Sequence, residues 1–259
     1  DFRQASSTSI IDSISGLTAT YNGSMSSTVS NGATFDGTDD YISFAPTITA
    51  STGFSVECYF NQASVGSAVT NLIDLAYDNT FNQSTTESIQ INTSVQGTSQ
   101  FRFLIQEKGT NTTIQSNWTQ FSTSTWIHCV FTTNNSGTAT LYVNGTQTAQ
   151  ETSISASIVS GTRPSSVIGA TAKLANTGIV TFTDESKFNG KVGYFRIWNN
   201  TELSTTEITT LYANRATVNY SDWKPLPIPT HDWDFRQTVS AGGTIGDNVN
   251  GTTATLTGV

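Results

Sequence analysis

The sequence predicts an all-β protein, and three observations support this prediction. The 259 residues are rich in Thr, Val, Ile, Phe and Tyr, the residue types that favour strands. Apolar and polar residues alternate with a period of two in many short segments. Gly, Asn and Asp separate these segments, as is typical of turns. A chain of this length can bury the core of one large β-sandwich.

The alternation is clearest in FSVECYF, where every second residue from Phe54 to Phe60 is apolar. This pattern predicts a half-buried strand of an antiparallel sheet. GATFDGTDDYISF (32–44) predicts two strands around an Asp-Gly turn, and SIQINTS, QFRFLIQ, WIHCVFTT and TATLYVNGTQTA continue the pattern. FNGKVGYFRIW (188–198) predicts a long late strand.

One segment, Leu203–Arg215, predicts a helix. Ser204 and Glu207 have the spacing of a capping box, with Ser at the N-cap and Glu at the third helical position. An apolar stripe on one face suits the helix to cover a sheet edge or the end of a sandwich. The stripe consists of Ile208, Leu211 and Tyr212.

Two parts of the chain are similar, since DFRQ occurs at Asp1 and again at Asp234. After a two-residue shift, the aligned positions are Asp12, Gly16, Ala19, Thr20 and Gly23 with Asp247, Gly251, Ala254, Thr255 and Gly258. Before the second copy, WKPLPIPT has three alternating prolines and predicts a stiff linker. We therefore predict a domain at 1–222, a linker at 223–230 and the truncated start of a second similar repeat at 231–259.

Composition and charge exclude several classes of function. The net charge is −8, and the eleven Lys and Arg residues are scattered, so we expect no nucleic-acid partner. No apolar run approaches the ~20 residues of a membrane span. The two cysteines, Cys58 and Cys129, lie in strand-like segments and are either buried thiols or one disulfide. Neither has the ligand spacing of a zinc site.

Four of these segments, in order, resemble the laminin-G-like group of the concanavalin A-type lectin/glucanase superfamily. They are GATFDGTDDYISF, FSVECYF, WIHCVFTTNNSGTATLYVNGTQ and FNGKVGYFRIWNNTELSTTEITTLYANR, and they extend over residues 32–215. The resemblance implies a jelly-roll β-sandwich of two antiparallel sheets with one short C-terminal helix. It also implies that the DFRQ segment is the first strand of each repeat.

A family calcium site is the one cofactor that the resemblance raises, and the sequence departs from it at one point. Gly193-Tyr194 stands where relatives commonly have Asp-Glu. The candidate ligands that remain are Asp36, Asp39 and Asp40, because calcium requires several carboxylate oxygens. The alternative is that these side chains satisfy backbone groups in turns. We expect no other cofactor.

The superfamily includes glucanases, but the sequence predicts no enzyme. Glycoside hydrolysis needs two suitably spaced carboxylates, and the E-x-D-x-E run common in glucanases of this fold is absent from the sequence. Glu57 stands alone, and Asp184 and Glu185 are adjacent in a predicted loop. His128 lies inside a strand-like segment and is interpreted as a packing residue rather than a base.

Loop aromatics are the candidate ligand-binding residues, because aromatic rings stack on the apolar faces of sugars. They are Tyr77, Phe81, Trp118 and Phe121, and the alternative for each is packing in the core or at the rim. Sequons of the N-x-Ser/Thr type are in mild excess. The candidate glycosylation sites are Asn22, Asn82, Asn92, Asn111, Asn117, Asn134, Asn199 and Asn219.

These observations predict a noncatalytic binding or adhesion module of a multi-repeat protein that is extracellular or at a cell or virion surface. The expected partners are glycans or neighbouring copies or repeats, without a membrane span. The main alternative is an architectural component on the surface or capsid of a large virus. A glycoside hydrolase is the alternative that the missing carboxylate pair argues against.

Because Gly193-Tyr194 replaces the acidic pair, chelation of calcium is expected to change the melting temperature by less than about two degrees. A calcium ion present at 100 times its Kd would stabilise the fold by ~2.7 kcal/mol, which thermal unfolding with and without chelator would detect. A large decrease on chelation would contradict this expectation and would assign a site to Asp36, Asp39 or Asp40.

Overall fold

A computed structural model of the chain describes most of its residues. The described residues are 9–11, 17–23, 26–28, 32–64, 69–76, 88–94, 101–107, 110–116, 121–152, 158–170, 187–215, 226–234, 244–246 and 253–255. The strands are β1 (Ser9–Ile11), β2 (Thr18–Asn22), β3 (Ser26–Thr28), β4 (Gly32–Asp36), β5 (Tyr41–Phe44), β6 (Thr47–Ile48), β7 (Gly53–Gln62), β8 (Thr70–Ala76), β9 (Ser88–Ser94), β10 (Phe101–Glu107), β11 (Thr110–Ser116), β12 (Trp126–Asn134), β13 (Thr138–Val143), β14 (Thr146–Thr152), β15 (Gly161–Thr162), β16 (Ser166–Ile168), β17 (Asn189–Asn199), β18 (His231–Asp234), β19 (Thr244–Gly246) and β20 (Thr253–Thr255), and the helix is α1 (Thr205–Ala213).

Within the described residues, the strands form two large antiparallel sheets, which confirms the predicted all-β sandwich. Sheet A has the order β1-β2-β5-β16-β8-β9-β10-β11. Sheet B has the order β14-β13-β12-β7-β17-β4-β3, and β18 also pairs with β17. Two short pairs, β6-β15 and β19-β20, lie outside these sheets. No helix in the described part of the chain is long and apolar enough to cross a membrane.

The two sheets pack face to face through apolar side chains, with aromatic rings bridging them. The ring centroids of Phe60 on β7 and Phe101 on β10 are 5.7 Å apart, and those of Phe44 on β5 and Phe195 on β17 are 5.9 Å apart. Both pairs meet edge to face, an arrangement that aromatic quadrupoles favour. The alternating apolar residues of FSVECYF all belong to this core, as predicted.

Strand β7 is buried on both faces, whereas the sequence predicts a half-buried strand. Ser55 and Glu57, which point away from the core, are as completely buried as Phe54 and Val56. The reason is that the outer face of sheet B is covered. Helix α1 packs on this face instead of on a sheet edge or at the end of the sandwich. The covering cluster consists of Val130, Tyr142, Trp198, Leu203, Ile208 and Leu211, with Leu226 packed against it.

The helix begins where the capping box predicts. The Ser204 hydroxyl accepts a hydrogen bond from the Glu207 backbone N–H, and the Glu207 carboxylate accepts one from the Ser204 backbone N–H. These reciprocal bonds satisfy two backbone donors that the first helical turn leaves without intrahelical partners.

Cys58 and Cys129 are directly opposite each other on β7 and β12, and both are free thiols. Their Sγ atoms are 3.6 Å apart, and neither residue is exposed to solvent. Burial raises the pKa of Cys58 well above its ordinary value, so the thiol is uncharged at neutral pH. The pair therefore contributes apolar packing between the two strands.

The repeated segments of the sequence form the same local structure. In the first copy Ile10 pairs with Ala19, and in the second copy Ile245 pairs with Ala254. The flanking pairs in β19-β20 are likewise those of β1-β2 shifted by a constant number of residues. The division of the chain into two repeats stays a prediction. Residues 231–234, which we assigned to the second repeat, form β18 in sheet B of the first sandwich.

Replacing Ser204 with Ala is expected to lower the free energy of unfolding by about 1 kcal/mol, because the N-cap hydrogen bond is lost. Urea denaturation would measure the change. Thr209→Ala is the matched control, since Thr209 is exposed within the same helix, and it should change the free energy by less than about 0.5 kcal/mol. Equal effects of both substitutions would contradict a specific capping role.

Candidate functional site

The face of sheet A that points away from the core carries a row of polar side chains. Ile89 and Ile91 on β9 belong to the core, so Gln90 and Asn92 point to the opposite face. The strand register places Asp74 beside Gln90, and places Arg102 beside Asn92. We call this surface the polar face, defined by Asn71, Asp74, Gln90, Asn92 and Arg102.

Three of these side chains form a hydrogen-bonded chain across three strands. The Asn92 amide donates to Asn71 Oδ1, and Arg102 Nε donates to Asn92 Oδ1 at 2.7 Å. Asn92 is completely buried and Asn71 is 4% exposed, whereas Arg102 is partly exposed. The two asparagines therefore hold the Arg102 guanidinium in one orientation at the border between protein and solvent.

Arg102 is the member of the polar face best placed to contact a ligand. Its Nε is bonded to Asn92, and its two terminal nitrogens bond to none of the described residues. Partial burial lowers the pKa of Arg102 below its ordinary value, because desolvation disfavours the charged form. A guanidinium with this geometry offers parallel N–H donors to a hydroxyl pair or to an anionic oxygen pair.

Asp74 and Gln90 add acceptors and donors beside this chain. Gln90 Nε2 lies 3.4 Å from Asp74 Oδ2, and Asp74 is 1% exposed while Gln90 is partly exposed. The polar face thus presents the partly exposed Gln90 amide and Arg102 guanidinium, with Asn71, Asp74 and Asn92 buried beside them. Such a set can form hydrogen bonds with the neighbouring hydroxyl groups of a sugar.

The predicted aromatic ligand residues do not come together in the described structure. Phe121 is 6% exposed and lies in the core, where its ring centroid is 4.9 Å from that of Phe101 and 5.8 Å from that of Phe60. Packing therefore accounts for Phe121, and its ring faces offer no stacking surface. The other three candidates, Tyr77, Phe81 and Trp118, lie outside the described residues.

The strand register nevertheless shows where the segments with these three aromatics begin. Tyr77 and Phe81 come after Ala76, which ends β8, and Trp118 comes after Ser116, which ends β11. Ala76 pairs with Ser88 at one end of β9, whereas Ser116 pairs with Phe101 near the other end. The two segments therefore start from opposite ends of the strands that carry the polar face.

Asp36, Asp39 and Asp40 do come together, with carboxylate oxygens that all lie within 4.8 Å of one another. They also satisfy the turn: Asp36 Oδ1 accepts from the backbone N–H of Thr38 at 2.6 Å, and Asp40 Oδ2 accepts from that of Asp36 at 3.0 Å. The donor type and spacing fit a calcium ion, which would need further oxygens from the backbone or from water. Calcium binding at this turn stays a proposal.

Burial decides against one predicted glycosylation site. Asn92 is completely buried and both ends of its amide are hydrogen-bonded, so it cannot accept a glycan in the folded protein. Asn134 and Asn199 use their side-chain oxygens to accept hydrogen bonds from backbone N–H groups. The remaining candidates are Asn22 in β2 and Asn111 in β11, and also Asn82, Asn117 and Asn219, which lie outside the described residues.

A second polar cluster is buried on the outer face of sheet B, around Glu57. Glu57 Oε1 is 2.7 Å from His128 Nε2 and accepts from the Tyr194 hydroxyl at 3.1 Å. Glu57 Oε2 accepts from Arg196 Nη1 at 3.1 Å, and Arg196 Nε donates to Asp232 Oδ1 at 2.6 Å. We call these five residues the buried ion cluster. All of them are at most 4% exposed.

The buried ion cluster has a structural role. Burial by itself raises the pKa of Glu57, but the charge of Arg196 and the hydrogen bond from His128 outweigh it, so the pKa lies below its ordinary value. Glu57 is thus ionised, and it is sealed from solvent. The Gly193-Tyr194 departure belongs to this cluster: Tyr194 bonds to Glu57, and a side chain at 193 would lie 3.0 Å from the Tyr59 ring.

Sequence reasoning missed both clusters, although the alternation contained a signal for the polar face. In SIQINTS and FRFLIQ, the isoleucines and phenylalanines mark the core face, so Gln90, Asn92 and Arg102 can be assigned to the opposite face. Asp74 and Asn71 have no such signal, because every residue of β8 is buried.

Replacing Glu57 with Gln is expected to lower the free energy of unfolding at pH 7 by about 3 kcal/mol, because buried Arg196 loses a charged partner. A carboxyl with a lowered folded pKa stabilises the protein above its unfolded pKa, near 4.5, and this contribution is lost as the pH falls through the folded value. Urea denaturation at about pH 7, 5 and 3 would measure the free energy of unfolding of both proteins. The difference between wild type and variant should become smaller at the acid end of this range.

Glu202→Gln is the control for this prediction, because Glu202 is exposed and bonds to the side chain of Asn134. Its effect should stay below about 0.5 kcal/mol. A deficit of Glu57→Gln that is small, or that does not depend on pH, would show that the cluster does not stabilise the fold through the Glu57 charge.

Several solved structures share this fold at low sequence identity. Domain 4 of AbnA, a GH43 extracellular arabinanase from Geobacillus stearothermophilus solved with arabinotriose, aligns with a TM-score of 0.57 and 16% identity over 77% of this chain and 89% of that domain. A heptameric SAP-like pentraxin from Limulus polyphemus aligns with a TM-score of 0.52 and 17% identity over 69% of this chain and 80% of its own. At such identities, these alignments show the fold alone.

The binding domain of botulinum neurotoxin serotype G aligns with a TM-score of 0.57 and 12% identity. The alignment covers 79% of this chain and 48% of the neurotoxin domain. No curated protein matches the chain. Residues 36–209, about two thirds of the sequence, match the Laminin_G_3 family. The chain therefore belongs to this laminin-G-like family of the concanavalin A-like lectin/glucanases superfamily.

Proposed function

We propose that the chain is a noncatalytic binding module of an extracellular protein or of a cell or virion surface, and that its ligand is a glycan bound at the polar face of sheet A. The observation that carries the proposal is the oriented Arg102 guanidinium, held by Asn92 and Asn71 beside Gln90 and Asp74. Sugars are bound in proteins by such fixed polar groups together with apolar contact surface. A similar fold in an arabinanase domain is known with arabinotriose, which supports the ligand class.

The absence of catalysis is part of the proposal. Retaining and inverting glycosidases need two carboxyl groups about 5 to 10 Å apart that both face the substrate. Among the described side chains, Asp74 is the one carboxylate of the polar face. Glu57 and Asp232 lie on the outer face of the other sheet and are engaged with Arg196. We expect no release of reducing sugar from β-glucans or other polysaccharides.

A glycan array with the intact chain would identify the ligand, and calorimetric titration of the best ligand would then give its Kd. Arg102→Ala is expected to raise the Kd about tenfold or more, because a charged donor is lost, and Gln90→Ala about fivefold. Gln150→Ala is the matched control, since Gln150 lies on β14 of sheet B and bonds to Thr140; it should leave the Kd unchanged.

Thermal unfolding of each variant would confirm that the fold is intact before affinities are compared. An array without any bound glycan would contradict the proposal and favour the architectural role at a viral surface. A glycan whose Kd is the same for wild type, Arg102→Ala and Gln90→Ala would place its site elsewhere on the domain. Turnover of a polysaccharide would contradict the noncatalytic assignment.

A further inference from the structure

Strand β17 is paired on one side by two different strands in succession. Strand β7 pairs with one edge of β17 along almost its whole length, from Gly190 to Asn199. On the opposite edge, β4 pairs with Asn189–Val192, and β18 pairs with the residues that follow, Tyr194–Ile197. Beyond β4, the edge of β17 is therefore paired with β18, which follows β17 in the chain, whereas β4 precedes it.

The contacts of this strand extend upstream into the proline-rich segment. The Thr230 N–H donates to the Ile197 carbonyl at 2.6 Å, and the Asn199 N–H donates to Thr230 Oγ1 at 2.9 Å. Trp198 Nε1 donates to the Pro227 carbonyl at 2.9 Å, and Leu226 packs against the cluster under helix α1. Residues 226–234 thus contact β17 from Tyr194 to Asn199. The described part of the predicted linker is docked on the sandwich.

One buried ion pair sets the register of this peptide. Asp232 Oδ1 accepts from Arg196 Nε at 2.6 Å, and the two side chains are 5% and 1% exposed. Arg196 also contacts Glu57 and lies over the Tyr194 ring at 4.0 Å, so its position is fixed by the sandwich itself. A shift of the peptide by one residue would move Asp232 to the other face of the sheet and leave buried charges without their partner.

These contacts are those of a strand-addition site, in which backbone hydrogen bonds hold an extended peptide and one side-chain contact selects it. We propose that the edge of β17 from Tyr194 to Asn199, with Arg196, is a peptide-binding site. Its ligand is the segment Leu226–Asp234 that leads into the next copy of this domain, bound as an exchangeable strand. Each sandwich then binds the segment that leads into the next one.

The internal repeat supports this choice of ligand. The docked strand ends at Asp234, where the second DFRQ begins, and the hairpin β19-β20 that follows has the pairing of β1-β2. The same segment therefore contacts one sandwich and leads into the first hairpin of another. The proposal rests on the predicted tandem repeat, but it is independent of glycan binding, because the peptide lies on sheet B and the polar face belongs to sheet A.

The test uses the full chain with a protease site inserted between residues 215 and 226, cleaved after folding. We expect the fragment with residues 226–259 to stay bound to the rest of the chain during gel filtration. A synthetic peptide, LPIPTHDWD (226–234), should then displace it in a manner that depends on peptide concentration. The readout is the fluorescence anisotropy of a dye attached to the fragment, with circular dichroism to follow folding.

Two matched peptides test the role of the ion pair. The peptide with Asp232→Asn should displace the fragment at least about tenfold less effectively, since a hydrogen bond between charged groups is lost. The peptide with Asp234→Asn carries the same change of net charge outside the ion pair and should act like the wild-type peptide.

Three results would overturn the proposal. Loss of the fragment during gel filtration would show that the edge of β17 has no affinity for the segment. A fragment that stays bound but that no peptide displaces at about 1 mM, far above typical affinities for peptide ligands, would make β18 a permanent strand of one sandwich. Equal displacement by the Asp232→Asn and wild-type peptides would show that Arg196 does not select the ligand.

Discussion

The arrangement of sheet B depends on the position of the Arg196 guanidinium between two buried carboxylates. Glu57 comes from the adjacent strand β7, and Asp232 comes from β18, the strand at the end of the docked segment. Because a charge in the protein interior is costly without a partner, neither carboxylate can be buried unless Arg196 lies between them. Glu57 in turn holds His128 on β12 and Tyr194 on β17. One network of charged hydrogen bonds therefore connects four strands on the face that helix α1 partly covers.

The two outer faces of the sandwich are consequently different in kind. Part of the outer face of sheet B is covered by α1 and Leu226, and the charged groups of the buried ion cluster there bond to one another. The polar face of sheet A instead includes two side chains that are partly exposed to solvent, Gln90 and Arg102. Groups that are already paired in a sealed environment stabilise a fold, whereas oriented groups at the solvent border are available to a ligand. This difference is the reason for proposing the ligand site on sheet A and the peptide site on sheet B.

Local patterns were sufficient for the elements that depend on neighbouring residues. The alternation in FSVECYF assigned every second residue from Phe54 to Phe60 to the core, and the Ser204–Glu207 spacing located the start of α1. Both predictions succeeded because strand periodicity and helix capping act over a few residues. The candidate site was predicted less well. Phe121 is a core residue, and Asn92 is a buried amide rather than a glycan acceptor. Burial depends on which segments cover a residue, and a pattern along the strand does not contain that information.

The sequence by itself determined the all-β class, the order of the main strands along the chain, the capped helix, the similarity of the two DFRQ-containing segments and the family, because each of these depends on local periodicity or on the order of motifs. The tertiary structure decided which polar residues meet. Glu57 and Asp232 are far apart in the chain, and Asn71, Asn92 and Arg102 come from three strands. It also decided that residues 226–234 dock on β17, although their prolines indicate a linker. The physical reason is that pairing between charged or amide groups depends on distance in space, which chain topology sets and local sequence does not.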